Sequence, residues 1–185
     1  GFILSAPKFR FAGAGLAVAL LLVGAPEVQA QPEPMLRIAV SGDSAYVYHT
    51  KRLPSGHGFN LYRKQGGGEF EQVNDTTIQG IQRASQLPAV LGPRYDWLEQ
   101  RYDEDTPTGV YYTMRGDWSS GLFAAFLDPA IARALGLLYV DNDVLVGEEI
   151  TYRVAFVDDR GEPTGEELTK TLTLEPTPAP TPDDL

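Results

Sequence analysis

Paired carboxylates are the residues of this chain whose spacing offers catalytic chemistry. Asp96 and Glu99 are three residues apart in a stretch with helical periodicity, so both side chains lie on one face of the predicted helix. Glycoside hydrolysis needs two carboxyl groups that flank a groove. One alternative is therefore a hydrolytic, carbohydrate-active enzyme with its carboxylates in this region. Against it, the sequence has only two histidines, no cysteine, and neither a Gly-x-Ser-x-Gly nor a phosphate-binding glycine motif. We expect no enzyme activity, no catalytic residues and no cofactor.

Two acidic clusters contain the residue types that bind calcium. Residues 103–105 read Asp-Glu-Asp, and residues 141–143 read Asp-Asn-Asp. Calcium takes several oxygen ligands in a defined order along a loop, and neither cluster has the full spacing of such a loop. We expect both clusters to be solvated turns, and we expect no metal site.

Aromatic side chains are concentrated in the middle of the chain, between residues 76 and 137. This region holds both tryptophans and four of the nine tyrosines, and such residues dominate the energetics of interfaces. They would also suit a small core of the region's own, and both interpretations stay open. We expect the two tryptophans to be partly exposed. The candidate binding surface comprises Trp97, Tyr102, Tyr111, Tyr112, Arg115, Asp117 and Trp118.

The first 30 residues have the composition of a targeting segment. Lys8 and Arg10 precede a 14-residue apolar run over residues 12–25, and a Val-Gln-Ala cleavage motif follows. These features predict a signal peptide over residues 1–30 and an extracytoplasmic protein, whether secreted, periplasmic or on the cell surface. A spanning helix needs ~20 apolar residues. The alternative, a membrane-anchored accessory subunit, applies only if this segment is retained.

The other end of the chain and the charge balance restrict the partners. Residues 176–182 alternate proline with small residues, which predicts an extended tail or linker over residues 176–185, within a longer or multidomain assembly. Without residues 1–30 the chain has 13 basic and 24 acidic residues, a net charge of −11. Such a surface repels phosphate backbones, so we expect no nucleic-acid partner. The ligand is predicted to be a protein or a glycan.

Period-two alternation marks the strands that must carry these groups. Ile150, Tyr152, Val154 and Phe156 alternate with other residues, as in a half-buried strand. Similar patterns occur across residues 36–74 and 138–174, whereas residues 76–137 show helical spacings instead. The pattern predicts two halves of one small β-sandwich, separated by a helical insertion of 62 residues.

The sequences of these strands resemble a known family. Residues 58–64 (GFNLYRK) and 69–73 (EFEQV) resemble the C and C′ strands of a fibronectin type III domain. Residues 139–141 (YVD) and 147–158 (GEEITYRVAFVD), with Gly161, are similar to that family's E–F corner, F strand and F–G turn. The chain departs from the family where strand B usually has a tryptophan. It also has isoleucine where a tyrosine corner would lie.

This resemblance implies a mainly β, fibronectin type III-like sandwich over residues 31–175, with the insertion 76–137 between the C′ and E strands. It also implies a non-enzymatic binding or spacer module, and it brings no catalytic residues. Some fibronectin modules display an Arg-Gly-Asp tripeptide in the F–G loop. Here that tripeptide, residues 115–117, lies in the insertion, where Asp117 also suits a helix cap. We expect the insertion to make the principal contact with a partner.

Overall fold

Seven strands in two antiparallel sheets form the scaffold. The computed structural model describes residues 33–144 and 147–173, so the predicted signal peptide and proline-rich tail lie outside the described residues. The strands are β1 (Leu36–Ser41), β2 (Ser44–His49), β3 (Gly58–Gln65), β4 (Glu71–Gln72), β5 (Leu138–Asp141), β6 (Glu149–Val157) and β7 (Pro163–Thr173).

Each sheet combines strands from both halves of the chain. One sheet has the order β1-β2-β5 and the other the order β4-β3-β6-β7. All pairs are antiparallel. The return strand β4 is only two residues long, shorter than the sequence suggests. This arrangement is consistent with the predicted sandwich and agrees with the prediction that residues 36–74 and 138–174 share their sheets.

The sandwich core follows from the alternation in β3 and β6. Ile150, Tyr152, Val154 and Phe156 of β6 are all buried, as predicted. From β3 Phe59 joins the same cluster, which also includes residues from the other sheet. Burying alternate large side chains against the facing sheet stabilises both sheets, because each strand has one apolar face.

The insertion folds into five short helices, preceded by one turn of 3-10 helix (Ala84–Gln86). The helices are α1 (Leu87–Leu91), α2 (Pro93–Tyr102), α3 (Pro107–Gly116), α4 (Trp118–Leu127) and α5 (Pro129–Ala134). They occupy nearly as many residues as the strands. The fold is therefore mixed and sheet-rich, and the prediction of a mainly β fold has to be corrected to that extent.

Local signals explain where three of these helices begin. Thr106 accepts from the backbone N–H of Gly109 at 3.1 Å, and Asp128 accepts from that of Ala130 at 2.8 Å. Asp117 caps α4 in the same way. Proline occupies the first position of α2, α3 and α5. An N–H at this position has no acceptor within the helix, so proline, which lacks the N–H, costs no hydrogen bond there. Helix α3 is absent from the sequence-based prediction.

Strand β2 separates two apolar cores because its alternate side chains face opposite layers. Val47 lies in the sandwich core, whereas Tyr46 and Tyr48 pack against the core of the helices. The opposite strand β5 does the same, since Leu138 belongs to the helical core and Tyr139 packs against the sandwich core. The helices therefore cover the outer face of the β1-β2-β5 sheet as a third layer.

The two ends of the insertion meet at a pair of glycines. A Cβ atom added at Gly136, which has φ +70°, would lie 2.4 Å from the backbone nitrogen of Gly80. Next to this crossing, the N–H of Ile81 donates to the carbonyl of Ala134 at 2.8 Å. Only residues without a side chain allow such an approach, and it closes the insertion onto the sheet.

Candidate binding surface

The Arg-Gly-Asp tripeptide forms the junction between α3 and α4. Arg115 donates to the carbonyl of Leu53 and lies over the ring of Tyr111, with 5.5 Å from its guanidinium carbon to the ring centre. Asp117 accepts from the backbone N–H of Ser120 at 3.2 Å and caps α4. Both charged side chains are thus engaged in holding the insertion together and against the loop after β2.

Three of the predicted surface aromatics are instead buried or partly buried in the helical layer. Trp118 is only 9% exposed, so the expectation that it is partly exposed is wrong, and its indole N–H donates to the carbonyl of Thr50 at 3.0 Å. The hydroxyl of Tyr102 donates to the carbonyl of Ser120 at 3.2 Å. Tyr111 is partly buried against the same core. Buried aromatics with polar tips usually find such partners.

Two of the predicted aromatics are exposed, but they belong to different helices. Tyr112 of α3 is 69% exposed and contacts the ring of Tyr111 at a centroid distance of 5.8 Å. Trp97 of α2 is 40% exposed. Of the predicted set, Trp97 is the one that lines a depression together with an exposed residue of α4, Leu127.

The depression beside Trp97 is apolar at its base and charged at its rim. Its volume is about 300 Å³, and Ile131 contributes to its lining. On the rim, the guanidinium of Arg94 is paired with the carboxylate of Asp128. A concave apolar pocket with a few polar groups around it is the usual form of a site that receives a side chain of a partner.

Helix α4 extends this surface. Phe123, Phe126 and Leu127 are 54%, 45% and 60% exposed, respectively. With Trp97 they form what we call the α4 surface.

Small residues explain which face of α4 is buried. A Cβ atom at Gly121 would lie 2.3 Å from the carbonyl oxygen of Met114 in α3. Ala124 and Ala125 are also buried. Helix α4 therefore approaches α3 closely along its small residues, and Phe123, Phe126 and Leu127 lie on the exposed side. The spacing of glycine and alanine was the signal that would have revealed this.

The acidic cluster at the end of β5 is a buried hydrogen-bonding centre. Both carboxylate oxygens of Asp141 lie 2.9 Å from the guanidinium of Arg63, and the hydroxyl of Tyr152 donates to Asp141 at 2.8 Å. Burial, together with this hydrogen bond, raises the pKa of the Tyr152 hydroxyl above its ordinary value. A carboxylate with these partners serves the scaffold, because its lone pairs are already occupied.

The other acidic cluster lines a shallow depression at the turn between α2 and α3. Glu99, Asp103, Glu104 and Asp105 contribute to it, and Glu104 accepts from the hydroxyl of Thr113 at 2.9 Å. General acid catalysis by a carboxyl requires a shielded environment, which the exposed Asp103 and Asp105 do not have. Asp96, the other member of the predicted catalytic pair, is exposed as well.

His49 occupies the place where the two layers and the insertion meet. Its ring makes edge-on contacts with Phe59 at 4.8 Å and Phe156 at 5.1 Å, and its Nε2 lies 3.0 Å from the carbonyl oxygen of Gly136. Burial lowers the pKa of His49 to about 4, and the charge of Lys51 contributes in the same direction. The histidine is therefore a neutral core residue at neutral pH.

Across residues 33–144 and 147–173, no group of three histidine or acidic residues is arranged to hold a metal ion. In the same part of the chain, no helix is both long and apolar enough to cross a bilayer. Comparison of the chain with protein-family models, with curated proteins and with solved structures finds no match.

Proposed function

We propose that this chain is a non-enzymatic, extracytoplasmic binding module on a fibronectin type III-like sandwich. The order of the second sheet supports the resemblance, because the strands that resemble C′, C and F lie side by side in that order, followed by β7 after the turn that resembles F–G. The insertion lies between β4 and β5, which correspond to C′ and E. The sequence of residues 1–30 supports export.

The observation that carries the proposal is the exposure of four large apolar side chains on one part of the helical layer. From their exposed fractions, the α4 surface offers roughly 400 Å² of apolar area, within the range of the largest patch on a monomer, which is often functional. A helical layer needed only to cover the sheet would bury such residues. Protein or glycan recognition through Trp97 and α4 would explain why these side chains are exposed.

Photo-crosslinking in the native host tests this function. A benzoylphenylalanine at Phe123 is expected to give a discrete adduct, whereas the same group at Thr169, an exposed residue of β7, is expected to give none. Trp97→Ala with Leu127→Asp should remove the adduct without changing the melting temperature, because both side chains are exposed. Equal adducts from both positions, or none from Phe123, would contradict the proposal.

Deletion of the insertion is not a valid form of this experiment. Because Tyr46, Tyr48 and Leu138 pack against the helical core, removing residues 76–137 would expose one face of a sheet. The resulting loss of binding would reflect unfolding. Substitutions on the α4 surface avoid this ambiguity.

A further inference from the structure

Another depression lies beside α4, next to the sandwich. Phe126 of α4 forms one wall, while β1 and β7 form the others. Its volume is about 380 Å³. The lining consists of Arg37, Ile38, Ala39, Tyr48, Phe126 and Lys170. We call it the edge groove, because two of the strands that line it, β1 and β7, are at the edges of their sheets.

The edge strands of the edge groove have backbone N–H and C=O groups that pair with no neighbouring strand in the described part of the chain. Among the described residues, β1 pairs with β2 alone and β7 with β6 alone. The N–H of Thr50 donates to the carbonyl of Met35, so residue 35 directs its main-chain groups toward the β2 side. In an antiparallel pair, successive residues of a strand direct these groups alternately toward and away from the partner strand. Residues 37 and 39 therefore form hydrogen bonds with β2. The N–H and C=O of Ile38 consequently point away from β2. Free groups on an edge strand pair with an extended chain.

The edge groove is also locally positive on an acidic protein. Arg37 lies over the ring of Phe126, with 5.6 Å from its guanidinium carbon to the ring centre. Neither Arg37 nor Lys170 forms an ion pair with any carboxylate of the described residues, whereas Lys51, Arg63, Arg94 and Arg153 each do. The sequence as a whole has a net charge of −10. Two uncompensated cations in one groove therefore select an anionic partner.

We infer that the edge groove binds an extended, acidic segment of a partner polypeptide. Carboxylates of the segment pair with Arg37 and Lys170, its apolar side chains contact Tyr48 and Phe126, and its backbone meets the free groups of Ile38. A polypeptide fits better than a lipid surface, because the groove is concave and lined by strand edges. This inference deepens the proposed function, since Phe126 belongs to both the edge groove and the α4 surface.

Fluorescence anisotropy tests the inference with a defined probe. The probe is a fluorescein-labelled twelve-residue peptide that alternates glutamate with valine and has a proline at each end. A second peptide has glutamine in place of every glutamate. At low salt the glutamate peptide is expected to bind ~10-fold more tightly than the glutamine peptide, and this preference should shrink at high salt as the charges are screened.

Charge reversal assigns the binding to the groove. The double substitution Arg37→Glu with Lys170→Glu should weaken binding of the glutamate peptide ~10-fold. The matched control, Arg101→Glu with Arg160→Glu, makes the same change in net charge at two exposed positions and should alter affinity less than ~2-fold. Equal effects of the two pairs, or no preference for glutamate, would overturn the inference.

Two further outcomes are decisive. Binding to phosphatidylserine vesicles that the Arg37→Glu, Lys170→Glu pair abolishes, without peptide binding, would assign the groove to a lipid surface and overturn the inference. Leu127→Asp separates this inference from the proposed function, because Leu127 lies outside the edge groove. Leu127→Asp should weaken the Phe123 adduct and leave peptide binding unchanged. Without this substitution, peptide binding that occurs although Phe123 gives no adduct would contradict the proposed function alone. An adduct from Phe123 without peptide binding would contradict the inference alone.

Discussion

The sandwich core and the exposed face of α4 treat their phenylalanines in opposite ways. In the sandwich, Phe59, Tyr152 and Phe156 are buried against the facing sheet. In the helical layer, α4 buries glycine and alanine together with Trp118, and it exposes Phe123 and Phe126. The comparison indicates that the sheets provide stability, whereas the helices divide their residues between covering a sheet and presenting an apolar surface.

The matched phenylalanines Phe59 and Phe123 provide the strongest test of this comparison. Phe59→Ala should lower the free energy of unfolding by about 3–5 kcal/mol, because it leaves a cavity in the sandwich core. Phe123→Ala should change it by less than about 0.5 kcal/mol, since that ring is exposed. Urea denaturation of both variants measures the difference. Similar losses would mean that α4 is packed as tightly as the sheets.

The two aspartates of the cluster at the end of β5 give the next largest contrast. Asp141→Ala should cost about 3–5 kcal/mol of stability, because Arg63 and Tyr152 would be left partly buried without their acceptor. Asp143→Ala should have little effect, since the exposed residue contributes its backbone carbonyl, and not its side chain, to Arg63. The measurement is again urea denaturation. If the two variants were equally stable, the Asp141 centre would not support the scaffold.

The sheets and the helices also meet at His49, which makes stability depend on pH. The pKa of His49 is about 4 in the folded protein and about 6.5 when it is unfolded. Between these values the unfolded chain binds a proton that the folded chain does not. Stability should therefore fall as the pH is lowered from 6.5 to 4, by up to about 3 kcal/mol.

The variant His49→Phe isolates this effect from the titration of carboxylates. It removes the group that titrates and keeps an aromatic ring between Phe59 and Phe156. Unfolding free energies of both proteins, measured at several pH values, should diverge most between pH 4 and 6.5. Parallel pH profiles of the two proteins would show that His49 does not control the dependence of stability on pH.

Much of the sandwich was predictable because its signal is local. The alternation of Ile150, Tyr152, Val154 and Phe156 specifies one buried face whatever the rest of the chain does. The boundaries of the insertion followed from the loss of this alternation. The pairing of β2 with β5, across 88 intervening residues, agrees with the prediction that the two halves form one sandwich.

The helical layer was harder to predict because its burial depends on tertiary contacts. Helix α3 escaped prediction because Val110, Tyr111, Tyr112 and Thr113 have weak helix propensity, although Thr106 and Pro107 mark its start. Whether the aromatic residues of α4 form a core or a surface stayed open, because the spacing of hydrophobic residues does not show how closely the small residues let α4 approach α3. Trp118 was expected at the surface, yet a carbonyl acceptor on the loop after β2 accounts for its burial.

The two tryptophans give the smallest expected effect and the finest test of the comparison. Trp118→Phe removes the donor to the carbonyl of Thr50 and should lower stability by about 1 kcal/mol. Trp97→Phe should change stability by less than about 0.5 kcal/mol, because its ring is partly exposed and has no such bond to lose. Each variant also leaves a single tryptophan, so acrylamide quenching reports their exposure directly. Quenching should be stronger in Trp118→Phe, where Trp97 is the emitter. If Trp118 were quenched as strongly as Trp97, the helical layer would not cover the sheet as described.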